Sequence, residues 1–130
     1  MKVLTVKEPW ASLIIDGYKK YEFRSWKTSY RGKVLIHAGK SIEKNNLELF
    51  KDYNLDYSWG YIIGEVELED CMLVDDKMQE ELNSDNKLVY GRSNHVGLYA
   101  WKLSNIVKYK KEDRIKVNGK LGLWNYNDRG

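Results

Sequence analysis

The chain has 130 residues, 42% of them hydrophobic, and a formal net charge of +3. That length fits one domain with one core, and that apolar share excludes a disordered chain. No apolar run approaches the ~20 residues that span a bilayer, and Lys2, Lys7 and Glu8 interrupt the stretch a signal peptide would need, so a soluble, cytoplasmic protein without membrane association is expected.

"MKVLTV" alternates weakly and is rich in β-branched residues, which predicts a first strand. In "EPWASLIIDG", Pro9 suits a first helical turn, Glu8 lies near its positive end and Gly17 suits its stop. A helix over roughly residues 8–16 follows, with Trp10, Leu13 and Ile14 on one face. "KYEFRSW" reads as a strand, "KTSYRG" as a turn, and "KVLIHAG" as a buried strand that Gly39 ends. In "SIEKNNLELFKDY", Ser41 stands as a possible N-cap, and Ile42, Leu47, Leu49 and Phe50 give a partial helical period. "YIIGEVELEDCMLV" is the longest strand signal, and Gly64 within it marks a bulge or a close backbone approach. "DDKMQEELNS" reads as a short acidic helix or a loop turn, and "LYAWKLSNIVKYK" and "GKLGLWNYN" as closing strands. No repeat or linker appears, so residues 1–130 form one expected domain. Many short strands with two or three short helices predict a mostly β, α+β fold curled into a small barrel.

Charge is unevenly placed. Lys19, Lys20, Arg24, Lys27, Arg31, Lys33 and Lys40 stand against Glu22 alone between residues 17 and 40. Residues 65–81 carry Glu65, Glu67, Glu69, Asp70, Asp75, Asp76, Glu80 and Glu81 against Lys77. Such a chain can present one basic face, which attracts phosphates; the competing reading is a set of solvated lysines. In an alternating strand Lys20, Glu22 and Arg24 share one face, and Lys19 leans in from the turn. A carboxylate flanked by cations stays ionised and orients the arginine fork. An oriented fork grips phosphate, or a base edge, with less entropy lost. Trp10, Trp26 and Tyr30 add flat surfaces, and stacking a base on such a ring contributes about 1–3 kcal/mol.

The same residues have structural readings. Trp10, Trp101 and Trp124 suit a core, and Glu22 with Lys19 or Arg24 suits a structural ion pair. His37 inside "VLIHAG" is a satisfied half-buried histidine or a functional one. Cys71 is alone, which permits no internal disulfide, and it suits a core thiol. The histidines are His37 and His95, and no C-x-x-C or H-x-x-x-H spacing exists, so neither metal nor cofactor is expected. Ser25, Thr28 and Ser29 have no neighbouring histidine to activate them.

"EPWASLIIDGYKKYEFRSWKTSYRGKVLIHAG" resembles the ASCH domain of the PUA-like superfamily. The matching pieces are Pro9-Trp10-Ala11, then Gly17, Lys19, Glu22 and Arg24 as G-x-K-x-x-E-x-R, then Arg31-Gly32 and "VLIHAG". "YIIGEVELEDC", "YAWKLSN" and "GKLGLW" follow in the family's order, so the resemblance covers nearly the whole chain. Glu8 departs from it, standing where many members carry glutamine. The resemblance implies a β-barrel with flanking helices, a cleft between barrel and helix, and a superfamily with many RNA-binding modules. It also includes a small amidohydrolase acting on N4-acetylcytidine through a lysine, a threonine and a glutamate. That lysine falls on Lys19, and the threonine position is occupied by Glu22.

Together these readings favour a module that binds RNA or another nucleotide-containing ligand. Its cleft would use Trp10, Lys19, Glu22, Arg24, Trp26, Tyr30 and Arg31, with His37 and Lys40 near the rim. The alternatives are a small hydrolase of a modified nucleoside or of RNA, with Lys19 and Glu22 as catalytic residues, and a protein-interaction adaptor.

Overall fold

The computed structural model describes residues 1–127. Strand β1 (Lys2–Glu8) leads into helix α1 (Trp10–Ile15), then β2 (Tyr21–Arg24), β3 (Gly32–Ile42), α2 (Lys44–Leu49) and β4 (Tyr61–Leu73). Helices α3 (Asp76–Asp85) and α4 (Lys87–Tyr90) precede β5 (Tyr99–Lys108), β6 (Ile115–Lys116) and β7 (Leu123–Asn125). The seven strands form one sheet in the order β2-β5-β4-β3-β1-β7, with β6 paired to β4. β1 and β3 run parallel, which sets Thr5 beside His37; β3–β4, β4–β5 and β2–β5 are antiparallel.

The α+β class holds, and the closed barrel does not. The sheet path ends at β2 and β7, edge strands of 4 and 3 residues. Strands that short offer too few ladder positions to close a sheet on itself. The fold is an open, mostly antiparallel sheet carrying short helices.

Three apolar clusters fix it. Leu4, Val6, Ala11, Ile14, Ile36, Val66, Leu68 and Trp101 pack between the sheet and α1. Val3, Leu35, Ile62 and Trp124 pack on the opposite sheet face, as the two-residue strand period requires. Leu13, Phe50, Leu82, Val89 and Tyr90 join α1 to α3 and α4. The Tyr90 hydroxyl accepts the Lys20 backbone N–H at 2.7 Å, which ties α4 to the start of β2. Burial pushes that phenol up to about 12.

Helix α1 is shorter than its sequence suggests. Pro9 stands just before it, and Glu8 does the capping from the end of β1: its carboxylate accepts the Ser12 N–H at 2.8 Å and the Ser12 hydroxyl at 2.6 Å. The strand read as ending at Gly39 continues to Ile42, because β1 supplies a parallel partner as far as Glu8 opposite Ile42. Ser41 therefore sits in a strand, and Glu43 precedes α2 instead. Gly64 is a close approach beside a register shift: a Cβ there would lie 2.5 Å from the Val107 carbonyl oxygen. The acidic segment is helix α3, capped by Asp75, whose carboxylate accepts the Met78 N–H.

Candidate functional site

A cleft of about 970 Å³ lies where β1, the start of α1, β2 and the distal half of β3 meet the loops at 91–98 and 118–122. Gly17, at φ +88, ends α1 in the left-handed region and turns the chain back. The Lys19 N–H then bonds to the Leu13 carbonyl at 3.1 Å, which places the Lys19 side chain in the cleft.

Lys19, Glu22 and Arg24 form one ionic group. One Glu22 oxygen accepts Lys19 Nζ at 3.0 Å, and the other accepts Arg24 Nη2 at 2.9 Å. Arg24 Nη2 also donates to the Thr5 carbonyl at 2.9 Å, binding β2 to β1 across the cleft. Lys19 Nζ donates a second bond to the Tyr21 carbonyl and stands 4.7 Å from the Phe23 ring centroid. Burial alone would raise the Glu22 pKa, but the charges and hydrogen bonds of Lys19 and Arg24 outweigh it and hold the carboxyl below its ordinary range. For Lys19, burial is the dominant influence and lowers the pKa; Glu22 opposes that shift and Arg24 adds to it. The pair is thus unevenly matched. Desolvation is the largest influence on both groups; two cations together outweigh it at Glu22, which stays ionised, and the one carboxylate does not outweigh it at Lys19.

A second polar group lines the same cleft. His37 Nε2 lies 2.7 Å from the Val117 carbonyl, which can only accept, so that nitrogen carries the proton. Nδ1 then accepts from the Thr5 hydroxyl at 3.2 Å, and the Thr5 oxygen accepts the Trp124 indole N–H at 3.1 Å. Gly119 passes so close that a Cβ would lie 2.9 Å from Thr5 Oγ1 and 3.0 Å from the His37 ring. His37 is only 1% exposed, so this chain of bonds pins the C-terminal segment to β1 and β3.

A third group comes from the segment after α4. The His95 ring stacks on Phe23, with centroids 3.9 Å apart and planes at 21°. Its Nδ1 lies 3.1 Å from the Gln79 side-chain oxygen. Burial and the Lys19 charge lower its pKa, and Glu22 works the other way. Lys40, Arg92 and Lys120 also line the cleft, and none of the three makes an ion pair among the described residues. Lys7 does, with Glu43 at 3.4 Å.

Of the residues expected at a ligand site, Trp10, Lys19, Glu22, Arg24, His37 and Lys40 line this cleft. Trp26, Tyr30 and Arg31 do not. Trp26 packs edge-on against Trp101 at 4.7 Å, the Tyr30 hydroxyl donates to the Lys33 carbonyl, and Arg31 donates to the Thr28 and Tyr30 carbonyls beside Asp70. Thr5, Phe23, Arg92, His95 and Lys120 line it without having been singled out. Thr5 sits in an ordinary strand pattern, and the other cations and His95 lie in loops with no periodic signal. Among the described residues no three His, Cys, Asp or Glu side chains gather to hold a metal ion, and no helix is long and apolar enough to cross a membrane.

The ASCH domain model matches residues 4–117, which includes Lys19, Glu22, Arg24, His37 and His95 and stops short of Lys120. Activating signal cointegrator 1 of Homo sapiens is 38% identical over 81 residues, an alignment covering 53% of this chain and 14% of that protein. Activating signal cointegrator 1 of Mus musculus matches with the same identity and the same shares. The chain therefore spans a small part of the length of these relatives. The ordered pieces from Pro9-Trp10 through the closing strands, the ionic group they build and the match over residues 4–117 agree: the chain belongs to the ASCH domain family.

Proposed function

We propose that the cleft binds RNA or another nucleotide-containing ligand. The observation that carries this reading is the pairing of unneutralised rim cations, Lys40, Arg92 and Lys120, with the rings of Trp10 and of His95, stacked on Phe23, in one cleft. Cations hold the phosphates and rings hold the bases, and neither preference alone needs both residue types in one cavity. Glu22 has an organising part here. Its single charge offsets one of the two charges of Lys19 and Arg24 and fixes the direction of both side chains, and the rim cations add to the attraction that remains. The test is fluorescence anisotropy with end-labelled single-stranded RNA, comparing wild type with Arg92→Glu. Saturable binding that Arg92→Glu weakens tenfold or so is expected, since reversal removes an attraction and adds a repulsion. Absence of binding to any RNA or mononucleotide would sink the reading.

A second reading is hydrolysis of an acylated nucleoside by Lys19 and Glu22. The enclosure of Lys19, 4% exposed and with a lowered pKa, favours it, because a buried lysine is poised to act as base or nucleophile. Both Glu22 oxygens are already engaged, however, and its carboxyl is held ionised, which suits an anchor better than a proton shuttle.

A further inference from the structure

His95 has one ring edge fixed and the other open. Its own backbone N–H, which can only donate, lies 2.8 Å from Gln79 Oε1, so that atom is an acceptor. Gln79 Nε2 lies 3.1 Å from the Tyr90 carbonyl, which can only accept, so that atom is a donor. The amide is thus oriented by two backbone partners and cannot be reversed. Gln79 Oε1 also lies 3.1 Å from His95 Nδ1, so Nδ1 must carry the ring proton. In the neutral ring Nε2 then carries a bare lone pair. That nitrogen has no hydrogen-bond partner among the described residues, and His95 lines the cleft. Stacking on Phe23 fixes the ring plane.

We propose that His95 Nε2 is a base-reading acceptor, taking a hydrogen bond from an N–H donor on the edge of a nucleobase held in the cleft. This rests on the nucleotide-binding reading above. A histidine used only to fill space would satisfy both nitrogens or bury neither. Here the residue is half-buried, its tautomer is locked from α3, and it lines the cleft where the ligand is proposed to lie. The charged groups acting on the ring are Lys19 and Glu22; the side chains packed on it, Phe23 and Gln79, are neutral. Burial, with the Lys19 charge adding to it, lowers the pKa of the ring from the ordinary histidine value of 6.5. Protonation would turn Nε2 into a donor facing a donor, so base binding is lost as pH falls through that lowered pKa.

Calorimetry with the four ribonucleoside 5′-monophosphates, and with ribose 5-phosphate as the base-free control, tests this on wild type and His95→Phe. The Phe variant keeps the ring stack and removes the acceptor. For the tightest mononucleotide we expect a loss of about threefold to tenfold, the worth of one neutral hydrogen bond. Ribose 5-phosphate affinity stays unchanged, and the acid limb of mononucleotide binding shrinks to the one ribose 5-phosphate shows, which comes from protonation of the phosphate itself. Nitrogen-15 spectra of wild-type histidines give a reading independent of the variant's folding. The Nδ1-protonated tautomer is expected for His95, with its Nε2 resonance moving on addition of the mononucleotide. An Nε2-protonated tautomer, or an unmoved Nε2 at saturation, overturns the assignment. Mononucleotide binding that His95→Phe leaves unaltered in affinity and pH profile also overturns it while leaving the nucleotide reading intact. No binding of RNA or mononucleotide to wild type removes both.

Discussion

Glu22 is the residue on which the cleft's electrostatics turn. Removing one partner of a buried charge pair leaves the other uncompensated, at a cost of about 3–5 kcal/mol. Glu22→Ala strands the 4% exposed Lys19, so urea denaturation should show a loss of that order. The pH dependence follows from the direction of the shift. The Glu22 pKa in the folded chain lies below its ordinary 4.5, so the unfolded chain binds more protons between the two values. Its contribution is present above 4.5 and lost as pH falls through the folded value. Glu8 works in the opposite sense: burial raises its pKa despite two bonds from Ser12, so it lowers stability as pH rises past 4.5. Comparing wild type with Glu22→Gln isolates the first effect. The variant's stability should fall less steeply than wild type below pH 4.5, and parallel curves there would refute the ion-pair account. This group was legible in the sequence because its members lie within six positions, Lys19 to Arg24, where strand period and local charge decide the outcome. His95 was not, because the Gln79 contact that gives it a defined tautomer is set by the docking of α3 against a loop.

At the level of elements, local signals succeeded where a segment's neighbours in sequence determine its structure. Gly17 ending α1 is such a case. They failed where a distant partner decides. Ser41 has the chemistry of an N-cap, yet the parallel edge offered by β1 extends β3 through it. Strand β7 has three residues and would be marginal alone; Trp124, 6% exposed and bonded to Thr5, anchors it. Gly64 shows both kinds of information meeting. A glycine inside the longest strand already signalled a bulge or close contact, and the fold supplies the reason. A Cβ at 64 would stand 2.5 Å from the Val107 carbonyl and 2.8 Å from Ile15 Cδ1. The side chain of Ile15 can rotate away, but the β5 backbone cannot, so Gly64→Ala should destabilise by about 1–3 kcal/mol. Thermal melting against wild type measures it; an unchanged midpoint would mean that β4 and β5 have room to separate.

Across the whole molecule, the cleft is assembled from pieces that the chain order keeps apart. The Lys19–Arg24 segment meets Lys40 through the sheet order β2-β5-β4-β3, and Arg92 and Lys120 arrive on separate loops. Composition indicated a basic face but located it in the segment's own lysines. Lys33 instead lies 3.8 Å from Glu65, and neither Lys27 nor Lys33 lines the cleft. Salt dependence separates these two placements. A protein that neutralises phosphates of a single strand shows log affinity falling with log salt by about 0.7 per phosphate. If the ligand backbone follows the cleft rim, Lys40→Gln and Lys120→Gln each weaken RNA binding and each reduce the slope by about 0.7. Lys27→Gln and Lys33→Gln then leave the slope unchanged, since their charges lie outside the path and are screened over about 10 Å at 0.1 M salt. The opposite pattern, with the slope lowered by Lys27→Gln or Lys33→Gln and untouched at the rim, would move the phosphate track off the cleft. It would also leave the ring of Trp10 without a base to hold, because a backbone bound elsewhere cannot deliver one to it.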